Sequence, residues 1–187
     1  MEIEVSAEAK NKRLNAMVAI TVVVLSVVMG LCNIKDGNLV QAMQQAKADS
    51  VDRWGEYQAT RTKSHLAETA RAEIALIGGA HPSEEANATL AQLDADIAKY
   101  RAETPRLKAE AQALADRYDA LNVHDDQFDA SEAAIETAIS IAAVAALAES
   151  FPLLVAGWAF GAFGAFMGLC GFAGWAFHPD VLSNFLG

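Results

Sequence analysis

Apolar and polar positions divide this chain into three apolar runs and one long polar stretch between the first two. Residues 14–34 and 151–177 carry no charged side chain, and residues 133–149 consist mostly of Ala, Ile and Val. About 20 residues of helix cross a hydrocarbon core roughly 30 Å thick. The pattern therefore predicts three transmembrane helices, with a polar N-terminal tail at 1–13 and a C-terminal tail at 178–187.

The first run has a second interpretation, because Lys10, Lys12 and Arg13 precede it as in a cleaved signal peptide. The run is long for a signal peptide, and no small-x-small cleavage site follows it closely. We therefore interpret residues 14–34 as an uncleaved span.

The polar stretch, residues 35–131, has the composition of a helical hairpin. Gly78, Gly79 and Pro82 predict a turn at 78–82, and Ser83 offers an N-cap for the second arm. Ten positions of that arm step by three and four, as in a coiled coil; they are Leu90, Leu93, Ile97, Tyr100, Thr104, Leu107, Ala111, Leu114, Tyr118 and Leu121. The predicted fold is an all-α membrane protein, with three transmembrane helices and a long antiparallel, coiled-coil-like hairpin between the first and second.

Charge excludes some partners. The net charge is −10, and all 14 Lys and Arg lie at or before Arg117. This balance argues against binding to nucleic acid or to anionic lipid surfaces.

Enzyme signals are weak. His65, His81, His124 and His178 lack metal-ligand spacing, and neither a phosphate-binding glycine loop nor a nucleophile elbow occurs in the sequence. His124 beside Asp125 and Asp126 is the one cluster with potential for metal. We predict no catalytic activity, metal or cofactor.

One face of the first arm groups residues that could bind a ligand. Its members, at steps of three and four, are Trp54, Tyr57, Gln58, Arg61 and His65. Two aromatic rings with a guanidinium and an imidazole could bind an anionic or lipid headgroup. Alternatively, the face is a seam between helices or subunits, in which Arg61 pairs with an acid. We favour the seam.

A polar stripe enters the second span. Glu132 and Glu136 lie four residues apart, Ser140 follows one turn later, and Asp129 precedes them. Carboxylates inside a membrane usually face a bundle interior or a water-filled path, and rings of them line cation pores. The stripe is therefore a candidate ion path; the favoured alternative is that the glutamates lie solvated at headgroup level.

The third span carries a glycine stripe, which comprises Gly157, Gly161, Gly164, Gly168, Gly171 and Gly174. Glycine lets helix backbones approach closely in lipid. The stripe could pack the span against the other two of its own chain or join subunits. The second role is favoured, because three spans and a long hairpin would make a poorly buried monomer.

The segment from Ala48 to Thr69 is similar to bacterial membrane-protein family 4337 of the domains of unknown function. In that family a Trp, a Tyr-Gln pair, a basic residue and a downstream Glu recur on the helix after the first span, and the segment here from Trp54 through Tyr57-Gln58 to Lys63 is similar. Residues from Phe128 onward also resemble the family. The resemblance implies one span, a long helical loop and two closing spans, with no catalytic residues to transfer. Family members often have basic residues between the last two spans, where this chain has Glu149-Ser150.

Together these observations predict a membrane-anchored, homo-oligomeric structural or accessory protein, with the bilayer and copies of itself as partners. The alternative is a cation-conducting channel lined by the acidic stripe. The basic residues before the first span favour a cytoplasmic N-terminus in the bacterial inner membrane, with the hairpin on the periplasmic side.

Overall fold

A computed structural model describes residues 12–79, 82–175 and 177. The predicted C-terminal tail, most of the predicted N-terminal tail and residues 80 and 81 of the predicted turn lie outside the described residues. Within this part of the chain all regular structure is helical: α1 spans Lys12–Gly78, α2 spans Glu84–Leu147 and α3 spans Phe151–Ala173. Each of the three is long and apolar enough, over at least one 18-residue window, to cross a membrane.

Local sequence explains where the helices end. α1 stops at Gly78, and Gly79 adopts a φ of 54° that glycine tolerates without strain. At the start of α2 the Ser83 hydroxyl accepts a hydrogen bond of 3.1 Å from the backbone N–H of Ala86, as its predicted N-cap role requires. The helix then continues through Pro105 without interruption.

The α2–α3 connection follows the same rules. α2 ends at Leu147, Glu149 has a φ of 50°, and α3 begins at Phe151 with Pro152 in its first turn. α3 ends at Ala173, before the predicted span limit of 177, because Gly174 takes a left-handed conformation with a φ of 66°. The Trp175 N–H then donates to the Cys170 carbonyl at 3.1 Å.

The described residues form two compact units. The three-helix unit contains the chain up to Ala42 and from Ala120 onward, and so combines the start of α1, the end of α2 and α3. Its interior is built largely from small side chains. Ala138, Ala142 and Ala145 of α2 are completely buried, and they pack with larger residues such as Leu14 and Leu25 of α1.

The two-helix unit, Met43–Asp119, pairs the remainder of α1 with the start of α2. All ten predicted seam positions of α2, from Leu90 to Leu121, are buried or half-buried. On α1 the buried positions are small or flexible; they are Met43, Ala46, Ser50, Thr60, Ser64 and Ala67. Ser50 donates a hydrogen bond of 3.2 Å from its hydroxyl to the carbonyl of Ala111. The two helices are thus packed directly against each other.

Candidate functional site

The acidic stripe of α2 lies on the outside of the three-helix unit. Asp129, Glu136 and Ser140 are exposed, and Glu132 is half-buried. The opposite face of α2 holds Ser131, Ile135, Ala138 and Ala142, which are buried against α1 and α3. The chain by itself therefore does not enclose the predicted ion path: Glu136 and Ser140 are exposed on the side of α2 opposite to its contacts with α1 and α3, and only the start of the stripe, at Asp129, lies near α1.

An acidic residue that the sequence did not single out, Asp36 of α1, adjoins the start of this stripe. Burial raises the pKa of Asp125 to about 6, and the charges of Asp36 and Asp129, a hydrogen bond with Asp36 and the charge of Asp126 add to the rise. Burial, followed by the charges of Asp36 and Asp126, also raises the pKa of Asp129. All four carboxyls precede or follow the predicted spans. Oδ1 of Asp36 is buried and has no hydrogen-bond partner among the described residues.

The glycine stripe lies in the interior of the three-helix unit. A Cβ on Gly157 would lie 3.2 Å from the carbonyl oxygen of Ala138, and one on Gly161 would lie 3.0 Å from the Leu25 side chain. A Cβ on Gly164 would come within 2.7 Å of Ile135. Real Cβ atoms essentially never approach a neighbour as closely as at Gly164, so a side chain there would force the helices to shift, whereas at Gly157 and Gly161 the neighbouring atoms would have to yield by a few tenths of an ångström.

The next turns of α3 continue this contact. A Cβ on Gly168 would lie 2.7 Å from Cys32 Sγ, and one on Gly171 would lie 2.7 Å from the Phe128 ring. Gly174 differs from the other five, because it caps the helix and has no atom near its Cβ direction.

The glycine stripe therefore packs within the chain, the first of the two roles considered from sequence. The favoured contact between subunits is corrected accordingly: five of its glycines already contact α1 or α2 of their own chain. The outer face of α3 carries large side chains instead; the exposed ones are Phe151, Leu153, Val155, Trp158, Phe160, Phe163, Phe166, Leu169 and Phe172.

The aromatic and basic residues of α1 lie at the edge of the two-helix unit. Trp54 and Tyr57 are half-buried and meet edge to face with centroids 5.4 Å apart, whereas Gln58, Arg61 and His65 are exposed. Arg61 donates to the Tyr57 hydroxyl at 3.3 Å, and its guanidinium lies 5.7 Å from the Tyr57 ring centroid. The buried contact between α1 and α2 is formed instead by Ser50, Thr60 and Ser64, which lie on a neighbouring face of α1.

Gln127 is a buried residue that sequence reasoning missed. Its Nε2 donates to the carbonyl oxygens of Trp175, at 2.8 Å, and Phe177, and its Oε1 lies 3.0 Å from His124 Nδ1. It therefore ties α2 to the end of α3. One glutamine in a polar segment has no periodic signal that would have revealed this role.

The cysteines and the candidate metal cluster have simple surroundings. Cys32 and Cys170 are buried and unbridged, and Cys32 Sγ lies 3.7 Å from the Ser131 hydroxyl. In the part of the chain that the structure describes, no group of three or more His, Cys, Asp or Glu is placed to hold a metal.

Fold and surface together define the class: an all-helical chain with three helices long and apolar enough to cross a membrane, one of them packed along a glycine face. The chain belongs to the family described as Domain of unknown function (DUF4337), whose model matches residues 14–174. No curated protein and no solved structure matches the chain.

Proposed function

We propose that the chain is a membrane-anchored, homo-oligomeric structural or accessory protein. The observation that carries the membrane part is the inside-out arrangement of the three-helix unit. Its interior contains many small residues (glycine, alanine and serine) beside larger ones such as Leu154. In contrast, Ile20, Val24 and Val27 of α1 are more than half exposed, and the large outward side chains of α3 are 37–55% exposed. A continuous apolar surface of this kind is unusual in water and ordinary in lipid.

We also propose that the two-helix unit is an antiparallel hairpin outside the bilayer. Contacts support this direction, because partners of rising number on α1 have falling numbers on α2. Lys47 lies over the Tyr118 ring, Glu68 pairs with Arg101, and Arg71 pairs with Asp94.

The exposed polar face of α2 supports oligomerisation. Glu136 and Ser140 lie in the predicted second span and are exposed in the single chain. A charged side chain facing lipid is costly, so such residues are usually covered by protein or reach water. A second copy placed against this face would remove Glu136 and Ser140 from lipid.

Site-directed disulfide cross-linking in native membranes tests this assembly. Cysteine at Ser140 (S140C) should give a cross-linked dimer on oxidation, because the face meets its copy. Cysteine at Leu169 (L169C), exposed on α3, is the matched control and should give little. A particle of one chain by native mass spectrometry, with no cross-link at position 140, would contradict the proposal.

The same face favours one second candidate, a cation path along the axis of the assembly. Asp129, Glu132, Glu136 and Ser140 would line that path. In proteoliposomes E136Q should lower cation flux several-fold while the oligomer persists; E149Q, in the α2–α3 connection, is the control. Absence of flux from the wild-type protein leaves the structural role.

For location, we propose an inner membrane of a bacterium with the N-terminus in the cytoplasm. Lys10, Lys12 and Arg13 before the first span support this orientation. If the hairpin lies on the periplasmic side, an impermeant maleimide should label a cysteine introduced at the exposed position Ala113 (A113C) in intact spheroplasts.

A further inference from the structure

We propose that a groove between α1 and α2 of the two-helix unit binds a small phosphate-bearing anion. The groove has a volume of about 370 Å³, large enough for a phosphate group with a small organic body. Its lining comes from both helices and comprises Tyr57, Arg61, Ser64, His65, Arg101, Thr104, Pro105 and Lys108.

The charge of this groove is opposite to that of the chain. The chain contains 24 Asp and Glu against 14 Lys and Arg, yet no carboxylate lines the groove. Two neighbouring grooves of the same unit do contain acids: Glu56 and Glu103 line one, and Asp49 and Asp52 line the other. The neighbouring groove with Glu56 and Glu103 also holds basic residues, so the proposed groove is distinguished by basic side chains that no carboxylate accompanies in its lining.

Two of these cations have no carboxylate partner. Arg53, Arg71 and Arg106 of the same unit each form an ion pair, whereas neither Arg61 nor Lys108 forms one with any residue that the structure describes. Among the described residues, the hydrogen bond and the cation–π contact of Arg61 are both with Tyr57 of its own helix. This arrangement differs from the predicted seam, in which Arg61 would pair with an acid across the contact.

The other two basic side chains share a single acid. Arg101 donates to Glu68 at 2.9 Å, and His65 Nδ1 lies 3.5 Å from the same carboxylate. A hydrogen bond from Arg101 lowers the pKa of Glu68, which keeps this carboxylate ionised. Three guanidinium or ammonium groups thus stand against one carboxylate, so positive charge is left over for a ligand.

Neutral groups complete the groove. Ser64 is buried, with 9% of its surface exposed, and its hydroxyl makes no hydrogen bond to another described residue. It is free to donate to an anion. Arginine presents a planar fork of donors that matches phosphate oxygens, and lysine adds a point charge. Tyr57 and Pro105 supply apolar walls for the organic part of a phosphate ester.

Isothermal titration calorimetry tests the proposal. The protein in a non-ionic detergent is titrated with sn-glycerol 3-phosphate and, separately, with inorganic phosphate. We expect saturable binding of the ester that weakens with salt. R61Q and K108Q should each raise its Kd about tenfold or more, the loss that removal of one charge-assisted contact produces. Both side chains are exposed, so helicity by circular dichroism should not change.

K63Q is the matched control. Lys63 is an exposed cation one turn or less from Arg61, but it lines the groove that contains Glu56 and Glu103. The K63Q variant should bind the ester like the wild type. An equal loss in K63Q and R61Q would show a general charge effect and would overturn the proposal.

Co-sedimentation separates the two sources of a phosphate ester. Nanodisc-held protein is mixed with vesicles of phosphatidylglycerol or of phosphatidylcholine. Retention on phosphatidylglycerol alone, lost in R61Q and K108Q and kept in K63Q, would assign the groove to a lipid headgroup. Binding of glycerol phosphate alone would assign it to a free metabolite. Absence of both overturns the site.

Discussion

Close contact between helix backbones in the three-helix unit depends on glycines of α3, which have no Cβ atom. Gly164 lies against Ile135 and the carbonyl of Ser131, to which a Cβ would approach within 2.7 and 2.9 Å. Backbone atoms cannot turn aside as a flexible side chain can, so a substitution there must move a helix. Gly30 of α1 lies in an equally apolar segment but has nothing within 4 Å of its Cβ direction.

We expect G164A to destabilise the protein, because overpacking a close contact costs about 1–3 kcal/mol. The measurement is the thermal unfolding midpoint in detergent, which should fall by several degrees. G30A is the control and should leave the midpoint unchanged or raise it, since alanine is the better helix former. Equal midpoints for the two variants would contradict the packing described for α3.

The carboxyls of Asp125 and Asp129, whose pKa values are raised by burial and by nearby acidic charges, make folding depend on pH. The pKa of Asp125 is about 6 in the folded chain, against an ordinary value of 3.8. The folded state therefore binds this proton more tightly than the unfolded chain does, so protonation stabilises the fold. The contribution of the protonated Asp125 carboxyl to the free energy of unfolding is fully present below about pH 4, and it is lost as the pH rises through 6.

D125N should therefore raise the unfolding midpoint by a few degrees at pH 7.5 and change it little at pH 4.5. Melting curves across that range check the effect, with D119N, at an exposed position of α2, as the control. A midpoint that falls in D125N at pH 7.5 would show that Asp125 makes a favourable ionic contact instead.

At the scale of the helices, α1 and α2 of the two-helix unit meet through small polar residues. Ser50, Thr60 and Ser64 of α1 are at least 90% buried, and Ala111 of α2 is completely buried. Small side chains let the helix backbones approach, and the Ser50 hydroxyl finds its partner in the Ala111 carbonyl. Exposed ion pairs between long side chains, such as Arg71–Asp94, add little to the stability of this contact.

A111L should separate the two helices, because no space exists for the larger side chain, at a cost of about 1–3 kcal/mol. Loss of helical circular dichroism on heating should begin several degrees earlier than in the wild type. A113L, at an exposed alanine half a turn away, should melt like the wild type.

At the scale of the molecule, the distribution of large apolar residues decides which solvent suits each unit. On α3, Phe160, Phe163 and Phe166 point outward at more than 40% exposure, while the glycines point inward. A protein folded in water would bury those rings. The same arrangement in lipid leaves the hydrocarbon in contact with aromatic and aliphatic groups and reserves the interior for close backbone contact.

Quenching of tryptophan fluorescence by brominated lipids checks this placement. A variant that retains only Trp158, which is 39% exposed on α3, should be quenched strongly in brominated vesicles. A variant that retains only Trp54, in the two-helix unit, should keep most of its emission. Equal quenching of the two, or a protein that stays soluble without detergent, would contradict a membrane-anchored chain.

The sequence by itself determined the helices, the turn between α1 and α2, the start of α3 and the α2 seam, whereas α3 ends four residues before the predicted limit. Runs without charge at 14–34 and 151–177 leave few alternatives to an apolar helix, and Gly79, Ser83 and Pro152 act on the backbone within one turn. Periodicity also identified Ile97, Leu107 and Ala111, because apolar seam positions repeat regularly on a helix.

Only the tertiary structure decided what each face contacts. A period of three and four placed the glycines on one stripe but could not say whether their own chain or a copy would fill it; the nearness of Ser131, Ile135 and Phe128 answered that. Asp36 reaches Asp125 from a helix nearly 90 residues away, and the groove with Arg61 and Lys108 draws from both helices. Such contacts depend on the rotation and register of helix pairs, which packing sets and local sequence patterns do not encode.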